Sequence, residues 1–338
     1  MPRCGPIARG TLLALSLGAC SSGSTPGIPA NGSLAVPLTA ETLYAANYYA
    51  SNVVAYASGK TTPSRTITTG IAFPNSLAVD SAGNLYVGNY GRASGSLNST
   101  VSVYRAGGNQ PTRTISSGVY GPYAMAIDHS GKLYVANNGH DTITIYARGA
   151  SQPTLTIDKD IRGPEALGFD SAGSLYVANF QGNDVTVYLA GKIAPIHKVK
   201  VGIAAPSSLA LDSSNTLYVA NQRGNTITVY LPNHLKSPRR ITQGIHKPIS
   251  LLSSAGDLFV LSYGNNTVAA YDEATLKRIG VTSSGVSCPS AMSADRAGNL
   301  YVTNTCPSGI SVFASSDLKL VHTITKGVSS PSAVTVSP

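Results

Sequence analysis

The 338-residue sequence has no long apolar segment, no helical periodicity and few charged residues, and each absence excludes a class of protein. The apolar run at 11–18 is too short to cross a bilayer, and no other segment is a candidate. After residue 40 no stretch repeats its apolar side chains with a helical period, so we expect no helical domain. The net charge of +9 is not interleaved with stacking aromatic residues, so we expect no nucleic-acid partner.

The first twenty residues combine positive charge, a short apolar run and a cysteine. Two arginines precede the apolar run, and the tetrapeptide LGAC (17–20) follows it. This arrangement resembles a bacterial lipoprotein signal, which implies export, removal of residues 1–19, lipidation of Cys20 and, in a cell with two membranes, an outer-membrane location. An ordinary secretory signal with an incidental cysteine is the alternative. Residues 20–40 are small, polar and rich in proline and glycine, which predicts a flexible tether.

Cysteine is scarce, and its positions agree with export. Of the four cysteines, Cys4 leaves with the signal and Cys20 is the predicted lipidation site. Cys288 and Cys306 remain as an even pair in an oxidising compartment, which predicts a disulfide. A metal site is the weaker alternative, because no histidine or acidic residue clusters with the pair.

One five-residue motif returns along the rest of the chain at a nearly fixed interval. It reads LYVGN at 85–89, LYVAN at 133–137, 175–179 and 217–221, and LYVTN at 300–304, with weaker copies LYAAN at 43–47 and LFVLS at 258–262. Successive copies start 41 to 48 residues apart, and most start 42 apart. A period of this size indicates a repeat architecture.

Each repeat contains four short candidate strands. It opens with proline and an apolar run ending in aspartate, such as PNSLAVD (74–80), followed by a glycine turn. The LYVAN motif is almost wholly apolar, as a strand covered on both faces should be. A strand with period-two alternation, such as TITIY (142–146), and an outer strand, such as TRTISSG (112–118), complete the unit. This pattern predicts a β-propeller blade.

The repeats predict an all-β, seven-bladed β-propeller with four antiparallel strands per blade over residues 41–338. The first LYAAN copy lacks a preceding proline strand, and the final proline strand, PSAVTVS (331–337), lacks a following LYVAN strand. We therefore expect the C-terminal strand to pair into the N-terminal blade and close the ring. The frame of the repeat, with LYVTN at 300–304, resembles the NHL and YVTN families of propellers. That resemblance implies the fold, which hosts enzymes, receptors and scaffolds alike.

Repeated residues should support the fold, and function should lie where the copies differ. The aspartate that ends the first strand and the asparagine after LYV are interpreted as structural. We call the innermost to outermost strands of a blade a, b, c and d. The a–b and c–d turns then lie on one face, the bottom, and the b–c and d–a loops lie on the other, the top.

Aromatic residues outside the repeat gather on the predicted top face. We predict a binding surface there for sugar rings, peptides or an apolar partner. The alternative is that these rings pack on one another and plug the channel. The predicted binding residues are Tyr48, Tyr49, Phe73, Tyr90, Arg92, Tyr120, Tyr123, Phe180 and Tyr263.

Cations follow the opposite face. The c–d turns of blades 1 to 5 each carry one, which favours contact between the bottom and anionic headgroups; scattered solubilising charges are the alternative. These cations are Lys60, Arg105, Arg148, Lys192 and Lys236.

The top face offers little catalytic chemistry. Some related propellers hold a metal at the channel mouth, and others are lyases with a catalytic histidine. The residue after each opening proline should line the mouth, which gives Asn75, Tyr123, Glu165, Ser207, Ile249, Ser290 and Ser332. One carboxylate does not hold a divalent ion, and no activated nucleophile is evident, so we expect no metal and no cofactor. If the protein is an enzyme, Glu165 and His140 are the first candidates.

We therefore predict a monomeric, lipid-anchored propeller that acts as a binding or assembly module at the cell envelope. Its partner would be an envelope protein, peptide or glycan at the top face, with the membrane contacted through the N-terminal lipid. The alternatives are a hydrolase or lyase with a top-face pocket, and a structural envelope protein without a specific ligand.

Overall fold

The computed structural model describes residues 41–91, 99–232 and 234–337, which form 28 β-strands. The predicted signal peptide 1–19, the predicted tether 20–40 with Cys20, and Arg92 lie outside the described residues. None of the described residues forms a helix long and apolar enough to cross a membrane.

The strands follow one another in this order. The first half is β1 (Thr42–Asn47), β2 (Asn52–Ala57), β3 (Arg65–Ile67), β4 (Pro74–Val79), β5 (Leu85–Asn89), β6 (Thr100–Tyr104), β7 (Arg113–Ile115), β8 (Pro122–Ile127), β9 (Leu133–Asn137), β10 (Thr142–Tyr146), β11 (Leu155–Ile157), β12 (Pro164–Phe169), β13 (Leu175–Asn179) and β14 (Asp184–Tyr188). The second half is β15 (His197–Val199), β16 (Pro206–Leu211), β17 (Leu217–Asn221), β18 (Thr226–Tyr230), β19 (Arg239–Ile241), β20 (Pro248–Ser254), β21 (Asp257–Ser262), β22 (Thr267–Asp272), β23 (Arg278–Thr282), β24 (Pro289–Ala294), β25 (Asn299–Thr305), β26 (Ser308–Ala314), β27 (Leu320–Ile324) and β28 (Pro331–Val336).

These strands form seven antiparallel sheets of four strands each, which confirms the predicted propeller. Blade 1 has the order β28-β1-β2-β3, and blades 2 to 7 each take four consecutive strands from β4 to β27. The a strands adjoin one another around the ring, in the order β28, β4, β8, β12, β16, β20, β24 and back to β28. The channel mouth is therefore built from the first residues of seven different strands.

The C-terminal strand closes the ring, as predicted. Strand β28 pairs antiparallel with β1, with Leu43 opposite Val336 and Ala46 opposite Ala333. The backbone N–H of Thr42 donates to the Ser337 hydroxyl at 2.8 Å, and the Ser337 N–H donates to the Thr42 carbonyl at 2.9 Å. Strand β28 therefore covers the edge of β1 that would otherwise be unpaired.

The repeated aspartates hold the a–b turns. The Asp80 carboxylate accepts the backbone N–H groups of Ala82 and Asn84 at 3.0 and 2.9 Å. In blade 7, Asp295 accepts the Asn299 N–H at 2.8 Å and the Tyr301 hydroxyl, also at 2.8 Å. These carboxylates satisfy turn N–H groups, so their repetition reflects folding.

The repeated asparagines and tyrosines join neighbouring blades. The fully buried Asn137 accepts the Tyr120 N–H at 2.9 Å and donates to the Gly118 carbonyl at 3.1 Å. The hydroxyl of Tyr146, at the end of strand c, donates to the Ser117 carbonyl of the preceding blade's d–a loop at 2.6 Å. Apolar side chains fill the space between blades, as Tyr44 and Ala46 of blade 1 do with Val87 of blade 2. Each blade is thus stable through its two neighbours.

The predicted disulfide is present in blade 7. Cys288 in the d–a loop is bonded to Cys306 in the b–c loop, with their Cα atoms 5.4 Å apart. Blade 7 also carries Phe313 where blades 1 to 6 carry the c-strand tyrosine, so it lacks the hydroxyl that would link it to blade 6. The covalent link therefore lies in the blade without that hydrogen bond.

Candidate functional site

A cavity of about 650 Å³ occupies the centre of the top face. The first side chain after the opening proline of every blade lines it, as the sequence predicts, and the b–c loops add Gln222 and Tyr263. The seven strand residues are Asn75, Tyr123, Glu165, Ser207, Ile249, Ser290 and Ser332. Because each comes from a different blade, the residues are brought together only when the ring closes.

Three serines of this ring serve the fold. The hydroxyls of Ser207, Ser290 and Ser332 donate to the carbonyls of Pro248, Pro331 and Pro74 at 2.7, 2.6 and 2.6 Å. Each bond runs from one blade to the opening proline of the next.

Among the seven residues that follow the opening prolines, the polar side chains left to meet a ligand lie on blades 2, 3 and 4. They are Asn75, Tyr123 and Glu165, which come from three consecutive blades. At these seven positions the uncommitted polar groups are therefore on one side of the mouth, and the loop residues Gln222 and Tyr263 add polar groups from blades 5 and 6.

Glu165 is the ionisable group of this side. Burial raises the pKa of its carboxyl to about 7, although the positive charge of Arg223 acts in the opposite direction. A carboxyl with such a pKa is present in both protonation states near neutral pH. It can therefore accept or donate a proton to a molecule in the cavity.

Tyr123 lies next to Glu165 in the mouth. Burial, together with the nearby Glu165 and Tyr90, raises the pKa of its hydroxyl to about 12. The hydroxyl therefore stays protonated at neutral pH and is available as a hydrogen-bond donor. A donor and a proton-accepting carboxyl thus face the same space.

Several of the predicted binding aromatics pack on one another at the rim. Tyr48 meets Tyr49 and Phe73 edge to face, with ring centres 5.2 and 5.3 Å apart. Tyr120 packs on His140 at 3.9 Å, and the Phe180 ring lies 5.3 Å from the Arg223 guanidinium carbon. These contacts are the packing that the alternative interpretation expects, but they do not fill the cavity.

The remaining predicted binding residues divide between cavity and rim. Tyr123 and Tyr263 line the cavity and are 41% and 49% exposed, and Tyr49 on the rim is 75% exposed. The ring of Tyr90 lies against Gly121, and the Tyr90 N–H donates to the Phe73 carbonyl at 3.0 Å. Glu165 lines the cavity, whereas His140 is on the rim against Tyr120. The two catalytic candidates therefore do not line one pocket.

The donor set of the mouth does not fit a metal centre. Among the residues that the structure describes, no group of three or more histidine, cysteine, aspartate or glutamate side chains is placed to hold an ion. The mouth brings one carboxyl, Glu165, together with serine hydroxyls that already donate hydrogen bonds to proline carbonyls. A protein-bound metal requires three or four convergent ligands.

Arg223 is the residue whose role the sequence does not reveal. It lies in the b–c loop of blade 5, on the top face, but nothing in the repeat indicates that its charge acts on Glu165, 58 positions earlier. A faint signal exists, because Gln222 and Arg223 follow LYVAN where the preceding copy has Phe180 and Gln181. The effect of Arg223 on Glu165 depends on how two adjacent blades, 4 and 5, are placed.

A family model described as the SMP-30/gluconolactonase/LRE-like region matches residues 12–223 of the chain. No curated protein matches the chain.

Solved structures share the fold at low sequence identity. A protein from Lactobacillus plantarum is 16% identical, with a TM-score of 0.73, over 88% of this chain and 99% of that one. A candidate 6-phosphogluconolactonase from Bacteroides uniformis is 12% identical, with a TM-score of 0.69, over 88% and 99%. A catalytically inactive virginiamycin B lyase from Staphylococcus aureus with quinupristin is 12% identical, with a TM-score of 0.63, over 76% and 85%.

Proposed function

The chain belongs to the SMP-30/gluconolactonase/LRE-like family, and on that premise we propose that it is a hydrolase or lyase acting on a small polar ester in the top-face cavity. The observation that carries the proposal is the Glu165 carboxyl, which lines a cavity of about 650 Å³ and has its pKa raised by burial to about 7. The family description and the candidate lactonase among the similar structures favour a cyclic ester as the substrate.

Hydrolysis of such an ester can be written with the residues of the mouth. The Glu165 carboxylate accepts a proton from water while the water oxygen forms a bond to the ester carbonyl carbon. The acyl carbon–oxygen bond then breaks, and Glu165 returns the proton to the departing oxygen, which leaves a hydroxy acid. The protonated Tyr123 hydroxyl is the candidate donor to the carbonyl oxygen as negative charge develops there.

Arg223 suggests what else the substrate carries. Its guanidinium is held against the Phe180 ring and is close enough to lower the pKa of Glu165. We propose that it binds a carboxylate or phosphate group of the substrate, because guanidinium matches the geometry of both.

The test is turnover of a panel of neutral and anionic lactones by the purified full chain, followed by acid release. We expect Glu165→Gln to lower kcat/KM by roughly 100-fold or more, without lowering the melting temperature. Glu273→Gln is the matched control, since burial also raises the pKa of Glu273, which lies in a bottom turn. Full activity in Glu165→Gln, or an equal loss in both variants, would refute the proposal.

A binding module without catalysis is the second candidate, and the exposed aromatic side chains favour it. Tyr49 is 75% exposed and Tyr263 is 49% exposed, both on the top face. The partner would be an envelope protein, peptide or glycan. Binding of peptidoglycan fragments or glycans that is lost in Tyr49→Ala/Tyr263→Ala but kept in Glu165→Gln, without turnover, would favour this function over the enzyme.

We further propose that the protein is an exported monomer of NHL/YVTN repeat type, anchored by lipid at Cys20 to the cell envelope. The LGAC motif at 17–20 and the period of the repeats support this. Metabolic labelling with a fatty acid tests the anchor, because Cys20→Ser should abolish incorporation. Labelling that persists in that variant would refute it.

A further inference from the structure

The bottom rim of blades 4 and 5 exposes aliphatic side chains. The c–d turn of blade 4, residues 189–196, leaves Leu189, Ile193 and Ile196 exposed at 46%, 50% and 45%. Leu231, which opens the c–d turn of blade 5, is 46% exposed. We call these four residues the aliphatic patch.

The fold does not require these residues, because other blades place small or polar residues at the same positions. The residue after the c-strand tyrosine is Ala57, Arg105 and Ala147 in blades 1 to 3, but leucine in blades 4 and 5. Ile196 stands where Thr154 donates its hydroxyl to the Ile145 carbonyl at 3.0 Å. At this position blade 4 has an exposed aliphatic side chain and lacks the side-chain hydrogen bond that blade 3 makes.

The two turns form one continuous surface. Ile196 of blade 4 and Leu231, Pro232 and Leu235 of blade 5 line a shared groove of about 150 Å³. Leu189 and Ile193 belong to the same short turn as Ile196, which is closed by the Lys192 N–H donating to the Leu189 carbonyl at 3.0 Å. The apolar groups are thus adjacent on the rim.

Positive charge flanks the aliphatic patch. Residues 185–256 contain eight lysines and arginines, of which Arg223 and Lys247 lie in top-face loops, and a single aspartate, Asp212. The Asp170 carboxylate also lines the groove, where it accepts the Ala172 and Ser174 backbone N–H groups at 3.0 and 2.8 Å. Lys192, Lys236 and Arg239 are exposed beside the patch. Lys198 forms an ion pair within the protein, because its ammonium lies 2.5 Å from the Asp160 carboxylate. This surface suits a partner that is both apolar and negatively charged.

The patch lies on the face at which the described chain enters the propeller. Glu41 precedes strand β1 at the bottom, where its carbonyl accepts the Ser58 N–H at 3.1 Å. The c–d turns of blades 4 and 5 end on that same face. A flat partner that meets these turns leaves the top-face cavity open.

We propose that the aliphatic patch and its flanking cations dock this protein on the surface of an anionic phospholipid bilayer. Leu189, Ile193, Ile196 and Leu231 would enter the boundary between headgroups and acyl chains, and the lysines and arginine would contact lipid phosphates. Short separate turns with aliphatic tips and basic flanks fit a soft planar surface better than the concave surface of a folded protein. The inference is independent of the reaction proposed for the top face.

The experiment is sedimentation of the full chain with vesicles of phosphatidylcholine containing about one third phosphatidylglycerol, at about 0.1 M ionic strength. Every protein carries Cys20→Ser, so that no lipid can be attached there. Leu189→Asp/Ile193→Asp is compared with Ala147→Asp/Ser151→Asp, which makes the same charge change at the corresponding positions of blade 3. Melting temperatures establish that both variants are folded.

We expect the blade 4 variant to bind about tenfold more weakly or worse, and the blade 3 variant to stay within about twofold of the parent. We also expect Lys192→Gln/Lys236→Gln to weaken binding to anionic vesicles. Equal binding by the blade 3 and blade 4 variants would overturn the proposal. Equal binding to vesicles of phosphatidylcholine alone, or no vesicle binding by the parent, would also overturn it, and the latter would point to an acidic protein partner.

Discussion

Replacing Glu165 by glutamine should make the protein more stable in a way that depends on pH. The carboxyl lines the top-face cavity, and burial raises its pKa from 4.5 to about 7. The folded protein therefore resists ionisation of this group more than the unfolded chain does. Glutamine keeps the shape of the side chain and cannot ionise, so the Glu165→Gln variant removes that cost.

The magnitude follows from the change in proton affinity. A tenfold change in affinity corresponds to 1.36 kcal/mol, so raising the pKa from 4.5 to about 7 costs the ionised folded state about 3 kcal/mol. Because the folded-state pKa is the higher one, the cost is absent below pH 4.5, grows as the pH rises to 7, and is complete above that. Glu165→Gln should match the wild type at pH 4 and exceed it by up to about 3 kcal/mol at pH 8.

Urea unfolding followed by tyrosine fluorescence at both pH values measures this difference. Asp128→Asn is a control of opposite sign. Burial alone would raise the pKa of Asp128, but hydrogen bonds from the Ser130 hydroxyl and from the Lys132 and Ser130 backbone outweigh it and lower the pKa. Its stabilisation is present at pH 8 and lost in acid, so Asp128→Asn should destabilise at pH 8. An equal effect of Glu165→Gln at both pH values would refute the reasoning.

Two further predictions concern the cavity and the contacts between blades. Arg223→Ala should raise the pKa of Glu165, because the guanidinium charge lowers that pKa. The acid limb of the pH profile of kcat/KM should therefore move to higher pH. An unmoved limb would contradict the effect of the Arg223 charge on Glu165. Tyr146→Phe should cost about 1 kcal/mol in urea unfolding, since it removes the hydroxyl that donates to the Ser117 carbonyl at 2.6 Å; Tyr49→Phe, at an exposed ring, should cost nothing measurable.

The fold is predictable from the sequence because the same residue types stabilise the same turns and loops in most blades. Asp80 and its counterparts hold the a–b turn, and Asn137 and its counterparts hold the preceding loop, so the chemistry repeats with the period of the structure. Closure by β28 is also predictable, since a blade with an unpaired strand edge needs its missing strand. The disulfide follows from two cysteines that both fall in top loops of one blade.

The site is less predictable because it depends on loops and on contacts between blades. The residue before each opening proline has positive φ, which Gly121 adopts at 60° without strain but Phe73 also adopts at 50°. That backbone sets where the Phe73 ring points, and so its contact with Tyr48, yet no residue type marks it in the sequence. The charge of Arg223 on Glu165 is likewise a consequence of ring geometry.

The asymmetry of the mouth explains why chemistry is possible on one side of it. In blades 1, 5 and 7 the position after the opening proline is a serine that donates to the next blade, so that position is committed to closing the ring. In blade 2 the same link to Pro122 comes from Ser76, one residue later, at 3.2 Å, which leaves Asn75 free to face the cavity. Blades 3 and 4 place Tyr123 and Glu165 at the position, and the buried asparagines and c-strand tyrosines, which make the same contacts in blades 1 and 5, hold those blades to their neighbours. A ring that closes through several independent contacts can therefore release three consecutive positions for a ligand without opening.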